Sequence, residues 1–526
     1  MNKLGGRFQG LLAVFLLAII LLTGANAWAR PTTAEEAKNV VINWLGLEAQ
    51  PLDAAMSQQV KEVKSYAGPD GGPAYYVVFL QPRGLVIVAG DDLVEPIIGF
   101  LPDMRSYSPS RRNPLGALVS NDVPGRVLHA RGVEAASLKS EQALPSDDPI
   151  TQAQRKWAWL SDPAVSTQAL VYGLQTLSNR IAGPFVNSRW GQTTVKNQAC
   201  YNYFVPPYAY GTAANYPAGC VATAMCQIMR YFRWPQAGVG TASYTIYING
   251  VEQSPEALRG GDGLGGPYDW TNMPLQPNTP TTVQRRAIGA LLHDAGAAAH
   301  MQYSPTGSGA SILDAAAAFL SPFQYSNAII SYNGGLDLPA RNRDIMINSN
   351  LHARYPVLLG IRGSGPGAGH AIVCDGYGYQ SGTMYHHLNM GWNGADDAWY
   401  NLPNVDAEFS FTSVDCLVSN IYKTGTGEII AGRVVDNSGH PIEGATVTAT
   451  RIGSSPFTRS GTTNVKGVFA LVKVPSASSF NVRVTKAGYT FAARTARTGT
   501  SASPAPLIPT GTNGNLWNFN FRGTPQ

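Results

Sequence analysis

The sequence predicts an α+β protein that ends in an all-β sandwich, and three observations carry that reading. Residues 31–100 open with an amphipathic helical pattern and continue into β-branched runs, and residues 180–422 mix helix and strand signals with many glycines and aromatics. From residue 428 onward short β runs alternate with turns and no helical pattern appears. At 526 residues and 44% hydrophobic, the chain has length for three or four domains of about 150 residues each. The expected division is 1–29, 30–179, 180–422 and 428–526.

Residues 1–29 combine Lys3 and Arg7, the apolar stretch LLAVFLLAIILL at 11–22, and two overlapping small-residue patterns, Ala25-Asn26-Ala27 and Ala27-Trp28-Ala29. That layout is a secretory signal peptide. The apolar stretch is shorter than the roughly 20 residues of a spanning helix, so a secreted, extracellular protein without a membrane span is expected. The net charge of +5 is small for this length, and no run of Lys or Arg forms a patch for a phosphate backbone. Nucleic acid is therefore not an expected partner.

In PTTAEEAKNVVINWLGL (31–47) the apolar residues fall near helical spacing, and Glu35 and Glu36 sit in the first turn, where the helix dipole favours them. AYYVVFL (74–80) and LVIVAGDD (85–92), joined across Pro82 and Gly84, predict a hairpin. From 103 to 178 the chain is rich in Ser, Pro, Arg and Asp with weak periodicity, which predicts an exposed, cleavable segment. KTGTGE (423–428) reads as a linker. Beyond it, runs such as GRVVDNSGHPIEGATVTA, with turns at Asn437-Ser438-Gly439 and Pro441, predict a small antiparallel sandwich.

Export permits disulfides, and the chain has five cysteines, an odd number. Cys220 precedes VATAMCQIMRYF (221–232), in which Val221, Ala224, Met225, Ile228 and Phe232 form one stripe before Trp234-Pro235 stops the helix. A cysteine at a helix N-terminus has its thiolate favoured by unpaired N–H groups and the dipole. The same position suits a small buried residue after a tight glycine. Cys226 points into the body of the protein, while Cys200, Cys374 and Cys416 are open to pairing with one another.

A nucleophilic thiolate needs a base, and His370 lies where the glycine-rich GSGPGAG feeds a strand, in GSGPGAGHAIVCDGYGY (363–379). A phosphate cradle would instead open a helix and carry a Lys. Asn389, in YHHLNMGWNG (385–394), has the chemistry to accept an imidazole N–H and fix the ring. The order Cys, His, Asn, with separations of 150 and 19 residues, is near that of papain-like enzymes, although the local cysteine signature is absent. Gln192, in RWGQ, is a candidate donor to an oxyanion beside the Cys220 N–H. The pairs Asp91-Asp92 and Asp396-Asp397 read as solvated turns, so neither a metal nor a cofactor is expected. His386 and His387 are adjacent on a probable strand and face opposite ways. His293 and His300 fall in one helical run with a core or cleft-lining role.

RWGQ, GCVATAMCQIM, LLHDAGAAAHMQYSPTGSGAS (291–311), GHAIVCDGYG and HLNMGWNG resemble, in order, blocks of the streptopain family of papain-like cysteine peptidases. Residues 74–100 look like the family's inhibitory propeptide, and the last hundred residues look like a carboxypeptidase-regulatory-like β-sandwich module. The resemblance implies a papain-like core with an α+β propeptide domain, and a secreted zymogen that hydrolyses peptide bonds of protein or peptide substrates. It implies Cys220 as nucleophile, His370 as general base and acid, Asn389 as the orienting group and Gln192 in the oxyanion hole. Gly219, Ser308, Gly369 and Trp392 would contact substrate, the propeptide would be an intramolecular inhibitor, and an apolar side chain two residues before the scissile bond would be favoured. One departure is Met390, where the family usually has Trp. Two other functions use the same residues differently: a Cys–His amidase acting on cell walls, and a non-catalytic adhesion protein on a degenerate peptidase scaffold.

Overall fold

The structure, a computed structural model, describes residues 30–161, 178–253, 255–334, 338–363, 368–403, 413–501 and 514–526. The expected signal peptide and residues 364–367 of the glycine-rich loop lie outside them.

Helix α1 (Ala34–Leu47) starts where Thr33 and Glu36 form a capping box, each side chain accepting from the other's backbone N–H. It buries Ala37, Val40, Val41, Trp44 and Leu45 against the antiparallel strands β1 (Gln59–Ala67), β2 (Pro73–Gln81), β3 (Leu85–Ala89) and β4 (Ile97–Leu101). The hairpin expected around Pro82 and Gly84 is β2–β3.

Where an exposed, cleavable stretch was expected, the chain instead folds into α2 (Pro114–Ser140) and α3 (Pro149–Ser161). Residues 162–177 of that stretch lie outside the described residues. Helix α2 is capped by the Asn113 side chain, which accepts from Gly116 N at 2.7 Å, with Pro114 at the first helical position. Leu115, Leu118, Val119, Val123 and Val127 are buried. Polar residues and Pro124 interrupt them, and part of the surface that buries the helix belongs to distant sequence. Tyr400 donates to Asp122 at 2.6 Å, Ser413 at 3.0 Å, and Arg126 reaches Asn401 Oδ1 at 2.8 Å.

Strand β5 (Ser178–Ala182) leads into the second half of the α+β body. There follow α4 (Cys220–Phe232), α5 (Thr282–Ala298), α6 (Ile312–Leu320), β6 (Asn327–Tyr332), α7 (Ala340–His352), β7 (Val357–Ile361), β8 (His370–Gln380), β9 (Thr383–Asn389), β10 (Ala398–Tyr400) and β11 (Val414–Tyr422). Strand β4 pairs with β10, Phe100 opposite Trp399, so the N-terminal strands continue the later sheet in the order β1-β2-β3-β4-β10-β9-β8-β7-β11-β6, with β5 on β8. Helix α4 is buried from Val221 through Arg230 between β8 and α5. Helix α5 ends at Ala298, so His300 lies beyond it, exposed.

Eight further strands, β12 (Glu428–Asp436), β13 (Thr446–Arg451), β14 (Thr458–Thr462), β15 (Val468–Val474), β16 (Ser479–Thr485), β17 (Tyr489–Phe491), β18 (Arg494–Arg497) and β19 (Phe521–Pro525), form two four-stranded sheets, β15-β12-β19-β17 and β14-β13-β16-β18. Val434, Val447, Phe469, Leu471, Phe480 and Val482 fill the space between them. The sandwich docks through buried amides: Asn515 donates to Ser349 Oγ and Asn420 Oδ1, both at 2.9 Å, and Asn350 donates to Asn420 Oδ1 at 2.8 Å. None of the described helices is long and apolar enough to cross a membrane.

Candidate active site

The first turn of α4, the start of β8 and the 191–193 segment meet at a cleft of about 980 Å³. Cys220 opens α4. Gly219 caps it at φ 93°, and a Cβ there would stand 2.7 Å from Met301 Sδ and 3.0 Å from the Ser308 carbonyl, so only glycine fits. Thr223 Oγ1 donates to the Gly219 carbonyl at 2.9 Å and to that of Gly191 at 3.2 Å, and Ala218 N donates to Gln192 O at 2.8 Å. These bonds tie the Gln192 segment to the loop that leads into Cys220.

His370 stands beside Cys220 in the cleft, close enough for each to act on the other's ionisation. Burial works against ionising the thiol, but His370, with the N–H groups of Ala371 and Val221, holds its pKa below the ordinary cysteine value. Ala371 N lies 3.4 Å from Sγ. For His370, burial opposes the charged ring, while Cys220 and the Arg111 carbonyl together raise its pKa. The two shifts together favour a thiolate–imidazolium pair.

Gln192, Ser308, Gly369 and Trp392 line the cleft with Cys220 and His370. Gly219 and Asn389 do not line it. Gly219, expected to contact substrate, is instead the backbone turn beneath Cys220. Asn389 lies on β9 opposite Val373 of β8. Its side chain donates to Ser188 O at 2.9 Å and accepts from Gln227 Nε2 at 2.8 Å and Gly391 N at 3.1 Å. None of these bonds goes to His370. His370 Nε2 donates to the carbonyl of Arg111 at 2.8 Å.

Arg111 and Arg112, which the sequence reading did not single out, reach the cleft from the segment before α2. The next residue, Asn113, donates from Nδ2 to Asp396 Oδ2 at 2.6 Å while its Oδ1 caps α2. The pairing of Asn113 with Pro114 was the available signal, since both favour a helix start. Other lining residues missed from sequence are Ile312, Leu313, Tyr332, Ile361 and Cys416, an apolar side of the cleft.

All five cysteines are free thiols. Burial pushes Cys200 up to about 12 and Cys226, Cys374 and Cys416 well above the ordinary value. The acidic pairs are not solvated turns. Asp91 is buried and paired with Arg131 at 2.8 Å, Asp396 is buried against Asn113, and Asp397 accepts from Met390 N at 2.9 Å. Burial, only partly offset by His387, pushes Asp397 up to about 6. Among the described residues no cluster of His, Cys, Asp and Glu has the arrangement of a metal site. His386 and His387 do face opposite ways, to Asn348 and Asp375. His293 is a core residue between Asp294 and Glu256, each at 2.9 Å. Met390 is fully buried.

Three stretches of the chain match known families. Residues 190–400 match the peptidase C10 family, residues 29–121 the Spi protease inhibitor family and residues 429–507 the carboxypeptidase regulatory-like domain. Streptopain of Streptococcus pyogenes serotype M1 is 27% identical over 413 residues, which span 76% of this chain and 92% of streptopain. The thiol protease/hemagglutinin PrtT of Porphyromonas gingivalis is 25% identical over 391 residues, 74% of this chain and 40% of that protein. A prointerpain A fragment from Prevotella intermedia shares the fold, with a TM-score of 0.50 at 24% identity, covering 70% of this chain and 99% of the fragment.

Proposed function

We propose that this chain, a streptopain-like cysteine endopeptidase, is exported as an inhibited precursor and cleaves peptide bonds through Cys220, His370, Asn389 and Gln192. In this reading residues 1–29 direct export, 30–179 inhibit, 180–422 carry the chemistry and 428–526 form an accessory module. The Cys220 thiolate attacks the scissile carbonyl carbon, and the oxyanion accepts from the Cys220 N–H and the Gln192 side chain. The His370 imidazolium gives its proton to the leaving amine as the C–N bond breaks. Water, deprotonated by His370, then hydrolyses the acyl-enzyme and restores the thiolate. Ile312, Leu313, Tyr332 and Ile361 offer an apolar wall, which supports a preference for an apolar side chain near the scissile bond.

The observation that carries this reading is the Cys220–His370 pair with the Arg111 carbonyl on His370 Nε2. That carbonyl occupies the N–H that Asn389 would take in a working triad, so release of the 105–113 segment is both unblocking and completion of the site. The test is made with Cys220→Ala precursor, which should stay at full length and be trimmed between residues 150 and 189 by a trace of active enzyme. Trimmed wild-type protein should digest casein and leave peptidoglycan intact. Peptidoglycan cleavage without caseinolysis would assign the same thiol to a cell-wall amidase, and no hydrolysis of either would favour a scaffold.

A further inference from the structure

Helix α4 carries a second polar side chain toward the β8–β9 strands. Gln227 follows Cys220 by seven residues, two turns along the same face, and it is fully buried. Both ends of its amide are used. Nε2 donates to Asn389 Oδ1 at 2.8 Å, and Oε1 accepts from Ser188 Oγ at 3.1 Å and Trp190 N at 3.4 Å. Asn389 closes the ring by donating to the Ser188 carbonyl at 2.9 Å. The 390–392 turn lies directly over it, since a Cβ on Gly391 would stand 3.1 Å from Thr223 Cγ2 and 3.8 Å from Gln227 Nε2.

We infer that Gln227 is a positioning residue of the peptidase: it aims the Asn389 amide and fixes the 188–192 segment that carries Gln192, using the helix that carries Cys220 as its base. The inference rests on the proposed roles of Asn389 and Gln192. A buried amide needs its partners, and an aliphatic side chain of similar size would fill the same space without that need. Here each partner belongs to a segment that holds one element of the site. Asn389 Oδ1 already accepts twice, from Gln227 and Gly391. Gln227 and Gly391 thus fix the Asn389 amide while the Arg111 carbonyl still holds His370 Nε2.

The test uses trimmed full-chain enzyme, with rates counted per epoxide-titrated thiol and unfolding followed by heat. Gln227→Met should lower kcat by about tenfold to a hundredfold, the scale felt when a catalytic group moves by about 1 Å, with KM nearly unchanged. Combined with Asn389→Ala, it should add little to that single substitution. Gln227→Glu keeps the shape but cannot donate to Asn389 when ionised, so its kcat relative to wild type should rise as pH falls and the carboxyl is protonated. A purely packing role would leave that ratio flat. An impaired Asn389→Ala beside a fully active Gln227→Met, or a flat ratio for Gln227→Glu, overturns the role of Gln227. Wild-type activity in Asn389→Ala overturns the role of Asn389 instead. If the Met variant does not fold, the pH ratio of the Glu variant decides.

Discussion

Asn113→Ala should turn the precursor into a leaky enzyme. Asn113 joins two things, the buried Asp396 carboxylate at 2.6 Å and the first turn of α2, capped at 2.7 Å. A hydrogen bond to a charged group contributes about 2 kcal/mol, and the bond here is partly buried. An N-cap contributes about 1 kcal/mol. Losing both weakens the seating of the Arg111 segment by about 3 kcal/mol, or roughly a hundredfold in the population released, at about 1.4 kcal/mol per tenfold. The assay is the initial rate on a small fluorogenic peptide, read before gels detect trimming. Asn113→Asp keeps a capping oxygen but sets carboxylate against carboxylate, so it should leak at neutral pH and less in acid. An Asn113→Ala precursor as silent as the parent, trimmed at the same rate, would refute the claim that this residue holds the inhibitory segment.

The rate kcat/KM of the trimmed enzyme should be bell-shaped in pH. The thiolate form is lost as pH falls through the lowered Cys220 value, and the imidazolium is lost as pH rises through the raised His370 value. A monotonic profile would contradict the ion pair. Gly219→Ala puts a Cβ against Met301 at a φ that L residues avoid, so it should lower the melting temperature and abolish most epoxide-titratable thiol, measured together on one sample. His293, whose pKa is raised by Asp294 and Glu256 against the opposing effect of burial, contributes stability that is present below its unfolded value of about 6.5 and lost as pH rises through the folded one. His293→Gln should therefore cost about 2 kcal/mol near pH 6 in urea unfolding, with a gap to wild type that narrows toward alkaline pH.

The parts legible in the sequence are those whose signals are local. The α4 stripe and the stop at Trp234-Pro235 define the helix that presents Cys220, and the short β runs punctuated by turns after residue 428 define the sandwich without any long-range information. Helix α2 was not legible because Asp122 and Arg126 are satisfied by Tyr400, Ser413 and Asn401, nearly three hundred residues away. The same distance hid the burial of Asp396, whose partner is Asn113. His370 and Asn389 were recognisable as residue types in the right order. The bonds they make were not, because Arg111 holds one and Gln227 with Ser188 holds the other. Met390 in place of an aromatic reads as a gap at the site, yet its side chain is buried in the main hydrophobic core.

The central claim is that Cys220 is the activated thiol and that the 105–113 segment masks it. It is tested by treating precursor and trimmed enzyme with a thiol-directed epoxide at neutral pH and mapping the adducts by mass spectrometry. Burial leaves Cys200, Cys226, Cys374 and Cys416 protonated at that pH. The account predicts a single adduct on Cys220 in the trimmed protein and little or none in the precursor. An adduct on another cysteine, no adduct after trimming, or equal labelling of both forms would contradict it.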